Sequence, residues 1–260
     1  MIPEKGKYIP ISYFRRLIND LLYFNSKVPS VTIDRRMNLG PLVSARKACN
    51  PAPSWSAIFT KAYGMASARM APLRTSYITF PWARFYEHFI TIATVNIDRQ
   101  LLDERIVLYA HIQNPEICTL REMDAVINRH QSDPPESIPS FRAAVNLSHV
   151  PWPIRQFVWW FALNFSGPLR CHFFGTFGIT SIASQGAGIT YLCPLLTSQL
   201  HYGMLDAEGG LDMRLSFDHR VMDGVTAAHG LAEMEKFLLV DLFEECSRIS
   251  EMEKTPGSGD

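Results

Sequence analysis

The sequence predicts an α+β or mixed α/β fold built in layers. Three observations carry this. Some stretches repeat apolar residues at three- and four-residue steps, as amphipathic helices do. Others alternate apolar and polar residues, as half-buried strands do. The two kinds are interleaved, but without the regular strand–helix alternation of a doubly wound parallel sheet. With 260 residues, 47% hydrophobic and 19% charged, the chain can bury a real core, as one large domain or two small ones.

The elements follow in order. Ser12 is placed to cap a helix with Phe14, Leu17, Ile18, Leu21 and Leu22 on one face. Val31, Ile33, Arg35, Met37 and Leu39 alternate with polar residues and read as a strand. Ser54 to Met70 reads as a second helix, with Ile58, Phe59, Ala62, Met65, Ala66 and Arg69 at helical steps. His88 to Ile97 and Arg105 to Ile112 read as two strands joined by the polar turn DRQLLDE. Thr119 is placed to cap a helix reaching about His130, and the Asp133–Ser137 stretch, DPPES, breaks the chain. Trp152 to Asn164 reads as a helix with three tryptophans and one charge, Arg155. Phe174 to Ile182 and Ser198 to Leu205 read as strands. A last strand (Met213, Leu215 and Phe217 alternating with Arg214 and Ser216) then meets a last helix, Val225 to Val240.

Composition narrows the function. Lys plus Arg and Asp plus Glu are 25 each, so nothing attracts a polyanion and no nucleic-acid partner is expected. Cys49, Cys118, Cys171, Cys193 and Cys246 are irregularly spaced, which suggests neither a metal site nor a disulfide framework. A reducing, cytoplasmic location is the simplest expectation. The start, MIPEKGKYIP, has no apolar signal core. The longest apolar run, Phe157 to Leu163, is far short of the ~20 residues of a membrane helix.

One motif points to chemistry. Phe217 to Gly224 reads FDHRVMDG, at the junction of the last strand and helix. A histidine held there can keep one ring nitrogen free, as a general base must. Against it stands the ordinary reading of a hydrogen-bonded structural histidine, which colinear agreement elsewhere outweighs. His88, His111, His130, His149, His172, His201 and His229 show no ligand spacing.

The longer string LSFDHRVMDG, Leu215 to Gly224, closely resembles the C-terminal signature of the dihydrolipoamide acyltransferase catalytic domain, the core of 2-oxoacid dehydrogenase complexes. Chloramphenicol acetyltransferase shares that fold and the His-x-x-x-Asp-Gly pattern. Pro10 to Ile18 looks like the family's opening helix, and Trp55 to Ala68, with Lys61-Ala62, like its second. Tyr86-Glu87-His88 to Val95 resembles the following strand, and Gly175 to Ser181, GTFGITS, the family's Gly-Thr-Phe strand. The resemblance covers most of residues 10 to 242 and is weak between about Asp133 and Arg170.

It implies a chloramphenicol acetyltransferase-like fold, one copy per chain, with a 1–9 extension, a 10–245 catalytic domain containing a divergent aromatic segment (133–170), and a polar 246–260 tail. It implies an acyltransferase using a thioester donor, acyl-CoA or carrier-bound. His219 would be the base and Thr180 the hydroxyl that faces the oxyanion; Ser181 would be the donor if the register slips by one. The family more often has serine then asparagine at these two positions. Asp223 would pair with Arg15 and so fix His219, and Gly224 would allow a tight turn into the last helix. No cofactor is expected to be tightly bound; a coenzyme A thioester would be co-substrate. No Asp-Lys-Ala lipoyl attachment motif occurs on this chain, so a lipoyl arm would come from another protein.

Relatives with two fused copies of this fold, such as condensation domains, build the site between the copies. With room for one copy, this chain would assemble as a homotrimer or a multiple of trimers, His219 of one subunit meeting Thr180 of the next. The 152–164 helix reads as core, as a subunit contact, or as a peripheral membrane or lipid contact admitting a hydrophobic acceptor. Two rivals stand: a lipoyl-less core acyltransferase of a 2-oxoacid dehydrogenase complex, and a non-catalytic trimeric scaffold or binding protein.

Overall fold

The computed structural model describes residues 6–101, 104–190 and 195–254. Helix α1 (Tyr13–Asn25) begins where Ser12 accepts the Arg15 N–H. Strand β1 (Ser30–Asn38) follows. A helix the alternating pattern concealed comes next: α2 (Gly40–Lys47) opens on Gly40-Pro41, proline suiting the first turn. α3 (Trp55–Arg69) is the helix expected from Ser54 to Met70, with Ser54 serving as its cap. β2 (Thr75–Ile78) and β3 (Arg84–Glu87) form a separate two-stranded ribbon, so Tyr86 and Glu87, expected to open the strand running to Val95, belong to the ribbon instead. β4 (Ile92–Leu101) therefore starts four residues later than the strand expected from His88. It pairs antiparallel with β5 (Glu104–Gln113); Leu102 and Asp103 of the expected turn lie outside the described residues.

α4 (Leu120–Ser132) carries a full capping box, Thr119 with Glu122. Beyond the DPPES break, the divergent segment is three helices: α5 (Pro139–His149), α6 (Trp152–Asn164) and α7 (Gly167–Phe174). α7 displaces the start of the strand expected from Phe174, so β6 is only Phe177–Thr180. β7 (Ser198–Tyr202), β8 (Gly210–Asp218), α8 (Gly224–Leu239) and α9 (Asp241–Lys254) complete the chain. α9 corrects the tail expected from residue 246. Its acidic residues mask an inward stripe in which Leu242 and Cys246 are fully buried. Residues 255–260 of that tail lie outside the described residues, as does Cys193.

The six-stranded sheet runs β1-β8-β7-β6-β4-β5. β6 is parallel to β4 and β7; the remaining pairs are antiparallel. Side chains alternate across it. One set (Met37, Val95, Leu108, Phe177, Ile179, Leu200, Leu215, Phe217) enters the main core with α3 and α8. Tyr63 of α3 anchors this layer, its ring edge-on to Phe177 and its hydroxyl donating to Ser198 Oγ at 2.8 Å. The other set is mostly polar and includes Asp34, Arg214, Gln199, His201 and Thr180.

A second, smaller core joins α1 to α6 through Phe24, Trp159, Leu163 and Leu195. Beside it Arg155 and Asp20, both buried, form an ion pair that Gln156 supplements at 2.6 Å. Trp152, Ile154, Phe157 and Val158, on the other side of α6, are exposed in the single chain. The helix is thus core on one face and open on the other.

Candidate active site

His219 is held by its backbone and offered by its side chain. It follows directly on β8, and its N–H donates to Pro29 O at 2.9 Å, just before β1. The preceding residue, Asp218, is fully buried. Its N–H donates to Thr197 O, and its carboxylate takes both the Arg220 N–H and the Arg220 guanidinium, at 2.7 to 3.2 Å. Arg220 in turn lies 4.4 Å from the Tyr77 ring centre. Both neighbours of His219 are therefore fixed. The imidazole itself is exposed, beside the Phe217 ring, in a cavity of about 310 Å³ lined with Pro72, Met222, Asp223 and Thr226.

Asp223 does something other than expected. Its side chain accepts the Thr226 N–H at 2.8 Å and caps α8. That backbone bond, then the Thr226 hydroxyl, hold its carboxyl below the usual carboxylate range, with the nearby His219 adding to the effect. Among the described residues no hydrogen bond joins it to the imidazole, and Arg15 is not its partner. Arg15 is largely exposed on α1 and faces Glu104 at 3.9 Å. A surface pair of that kind is worth ~0–1 kcal/mol, so the strong Arg15–Asp223 coupling expected from the resemblance is replaced by a helix cap. Asp223→Ala should lower the melting temperature by about 2–4 °C near neutral pH. A carboxyl depressed in the folded state stabilises above its ordinary range and loses that contribution as pH falls through the depressed value. The difference between wild type and variant should therefore shrink on acidification, as a thermal-melt series over pH will show.

Gly224 also departs from expectation. It adopts no left-handed φ, and a Cβ there would meet nothing within 4 Å. Glycines at positive φ stand elsewhere, at Gly175, Gly186 and Gly209; at Gly175, φ +83°, a Cβ would lie 2.8 Å from Ile92 O.

Thr180 ends β6. Its carbonyl accepts from His201 Nδ1–H at 3.2 Å, and His201 Nε2 accepts the Ile189 N–H at 3.0 Å. Burial holds His201 below the ordinary imidazole range, which keeps it neutral and Nε2 able to accept. Arg214, paired with Asp34 at 2.8 Å, donates to Ile189 O. The loop after Thr180 is thereby pinned to the polar face of the sheet. Ser181 Oγ is committed, donating to Tyr202 O and accepting the Ala183 N–H. The Thr180 hydroxyl has no intrachain partner among the described residues. Of the two candidate hydroxyls, the free one is therefore that of Thr180.

One chain does not bring His219 and Thr180 together. Phe177, Ser198 and Phe217 form one row across β6, β7 and β8, whereas Thr180, His201 and Arg214 form another. The rows are three residues, about 10 Å, apart along the strands, and His219 lies beyond the far one. The two residues thus lie toward opposite ends of the sheet. Sequence reasoning missed the Pro29 anchor and the His201 brace, for which no local signal exists. It also missed the Asp218–Arg220 clamp, although both residues stand in the motif string.

No family model matches the chain, and no curated protein matches it. Solved structures do. A probable dihydrolipoamide acetyltransferase from Listeria monocytogenes 4b F2365 is 17% identical, over 94% of this chain and 96% of that one, with a TM-score of 0.63. The Azotobacter vinelandii dihydrolipoamide acetyltransferase, investigated for the roles of a serine, a histidine and an asparagine in its catalytic mechanism, is 16% identical over 91% and 93%, with a TM-score of 0.65. A truncated catalytic core of the 2-oxoacid dehydrogenase multienzyme complex from Thermoplasma acidophilum is 17% identical over 90% and 98%, with a TM-score of 0.63. The chain has the fold of these dihydrolipoamide acetyltransferase and 2-oxoacid dehydrogenase catalytic cores.

Proposed function

We propose that the protein is an acyltransferase whose active site forms between copies of the chain. His219 of one subunit removes the proton of the acceptor as the acceptor attacks the carbonyl carbon of a thioester. The Thr180 hydroxyl of a neighbour donates a hydrogen bond to the resulting oxyanion. The C–S bond then breaks, and the thiolate takes the proton back from the imidazolium and leaves as free thiol. The donor is acyl-CoA or a carrier-bound thioester, and no tightly held cofactor is needed.

The observation that carries this reading is the pair of unpartnered groups at opposite ends of one sheet. An exposed imidazole on a clamped backbone and a free hydroxyl on a braced strand are both wasted within one chain and both useful across an interface. A solved relative forms the cubic core of the pyruvate dehydrogenase multienzyme complex, which supports an assembled state here. The scaffold alternative has no use for either group.

The test is light scattering on the purified protein, followed by thiol release from a panel of acyl-CoAs in the presence of cell extract, with mass spectrometry for the acylated product. The expected result is a trimer or a multiple of one, and donor-dependent thiol release. A monomer at working concentration, with no release from any donor, would overturn the reading.

A further inference from the structure

A second cavity, of about 240 Å³, adjoins the first; Arg220 lines both. Its walls are of two kinds. Phe24, Val28, Trp160, Leu163 and Leu195 make an apolar lining. Lys27, Arg170 and Arg220 also line it, and no carboxylate does.

The charges around it do not balance. Arg220 is matched by Asp218. Asp20, the one carboxylate on α1 and α6, is taken by Arg155. Among the described residues Lys27 and Arg170 have no acidic partner. Lys27 is exposed and reaches the Tyr23 hydroxyl at 2.8 Å. Arg170 is 4% exposed, and its Nη atoms donate only to neutral carbonyls, those of Tyr77, Leu163 and Leu195. Its Nε has no partner among the described residues. Burial pushes this guanidinium down to about 10, against the pull of Asp218. His88 nearby is held neutral by burial, at about 4, and supplies no counter-charge. A buried cation left with an unmade hydrogen bond is costly unless something completes it.

We infer that this cavity seats an anionic amphiphile, with its apolar body against Phe24, Trp160 and Leu163 and its anionic head toward Arg170 and Lys27. The inference that this molecule is the acyl acceptor, presented to His219 next door, rests on the acyltransferase reading. The binding itself does not.

The probes are octanoate, 1-octanol and octylammonium, which share a body and differ in head group. Each is titrated calorimetrically into the full-length protein without any acyl donor. Octanoate should bind about tenfold or more tighter than octanol, as charge-assisted hydrogen bonds to arginine require, and octylammonium should bind worst. Arg170→Gln should abolish the preference for octanoate over octanol. Should that buried variant fail to fold, Lys27→Glu, at an exposed position, decides. It should cut octanoate affinity several-fold and leave octanol unchanged. Equal binding of octanoate and octanol, or a preference untouched by Lys27→Glu and by a folded Arg170→Gln, overturns the proposal. His219→Ala protein that still prefers octanoate but transfers no acyl group keeps the two claims distinct. Failure of transfer in the wild type would refute the enzyme reading and leave the site standing.

Discussion

His219→Ala should remove acyl transfer while leaving fold and assembly intact. The reasons lie in what the residue touches. Its backbone N–H holds Pro29 O, a contact any residue keeps, and its ring makes no hydrogen bond within the chain among the described residues. The clamps on either side, Asp218 with Arg220 and the Asp223 cap, do not involve the imidazole. Truncation therefore costs little stability, yet removes the imidazole that the proposed mechanism uses to accept and return a proton. A positioned base contributes ~10²–10⁴ in rate. Thiol release, wild type against variant at equal oligomer concentration, measures it. A folded, assembled variant that transfers at the wild-type rate would end the catalytic assignment and favour the scaffold reading.

Thr180→Ala should lower turnover by ~10²–10³, the usual cost of one lost oxyanion donor. The change should fall on kcat, with donor affinity nearly unchanged, because the hydroxyl is needed chiefly in the transition state. Ser181→Ala is the informative contrast. Its hydroxyl ties Tyr202 O to the Ala183 N–H, so losing it should loosen the loop and lower stability more than it lowers kcat at a given folded fraction. If Ser181→Ala instead produced the larger loss in kcat with no loss of stability, the hydroxyl assignment would move by one residue.

Much of this was legible in the sequence where the signal is local. Ser12 and Thr119 cap helices because a short side-chain oxygen reaches N–H groups three residues on, a rule written within a single turn. The motif strand and helix were equally plain. The missed elements are those whose signal is short or masked. α2 and α7 have eight residues each and open on Gly-Pro, too brief for periodicity to accumulate. β2 and β3 have four residues each. α9 was hidden by its acidic outer face.

The site shows the same division. His219 and Thr180 came from the motif and from the resemblance. The Arg15–Asp223 pair, also carried by the resemblance, failed for a reason visible only in three dimensions. The buried side of α1 is fixed by Asp20 and Phe24, a helical step apart, with Asp20 locked to Arg155. Arg15 lies about 140° around the helix from Asp20, on the exposed side. Long-range ion pairs of this kind depend on how two elements meet, which no local pattern encodes.

The central claim, that each active site takes His219 from one copy and Thr180 from another, is tested most directly by mixing. His219→Ala and Thr180→Ala chains, each inactive alone, are unfolded together in equal amounts and reassembled. Across the whole reassembled population about a quarter of the interfaces would join an intact His219 to an intact Thr180, as random assortment in a cyclic assembly requires. Thiol release should therefore recover to about a quarter of that of wild-type protein refolded alongside. Mixed oligomers, proven mixed by mass, that stay as inactive as their parents would contradict a site shared between chains.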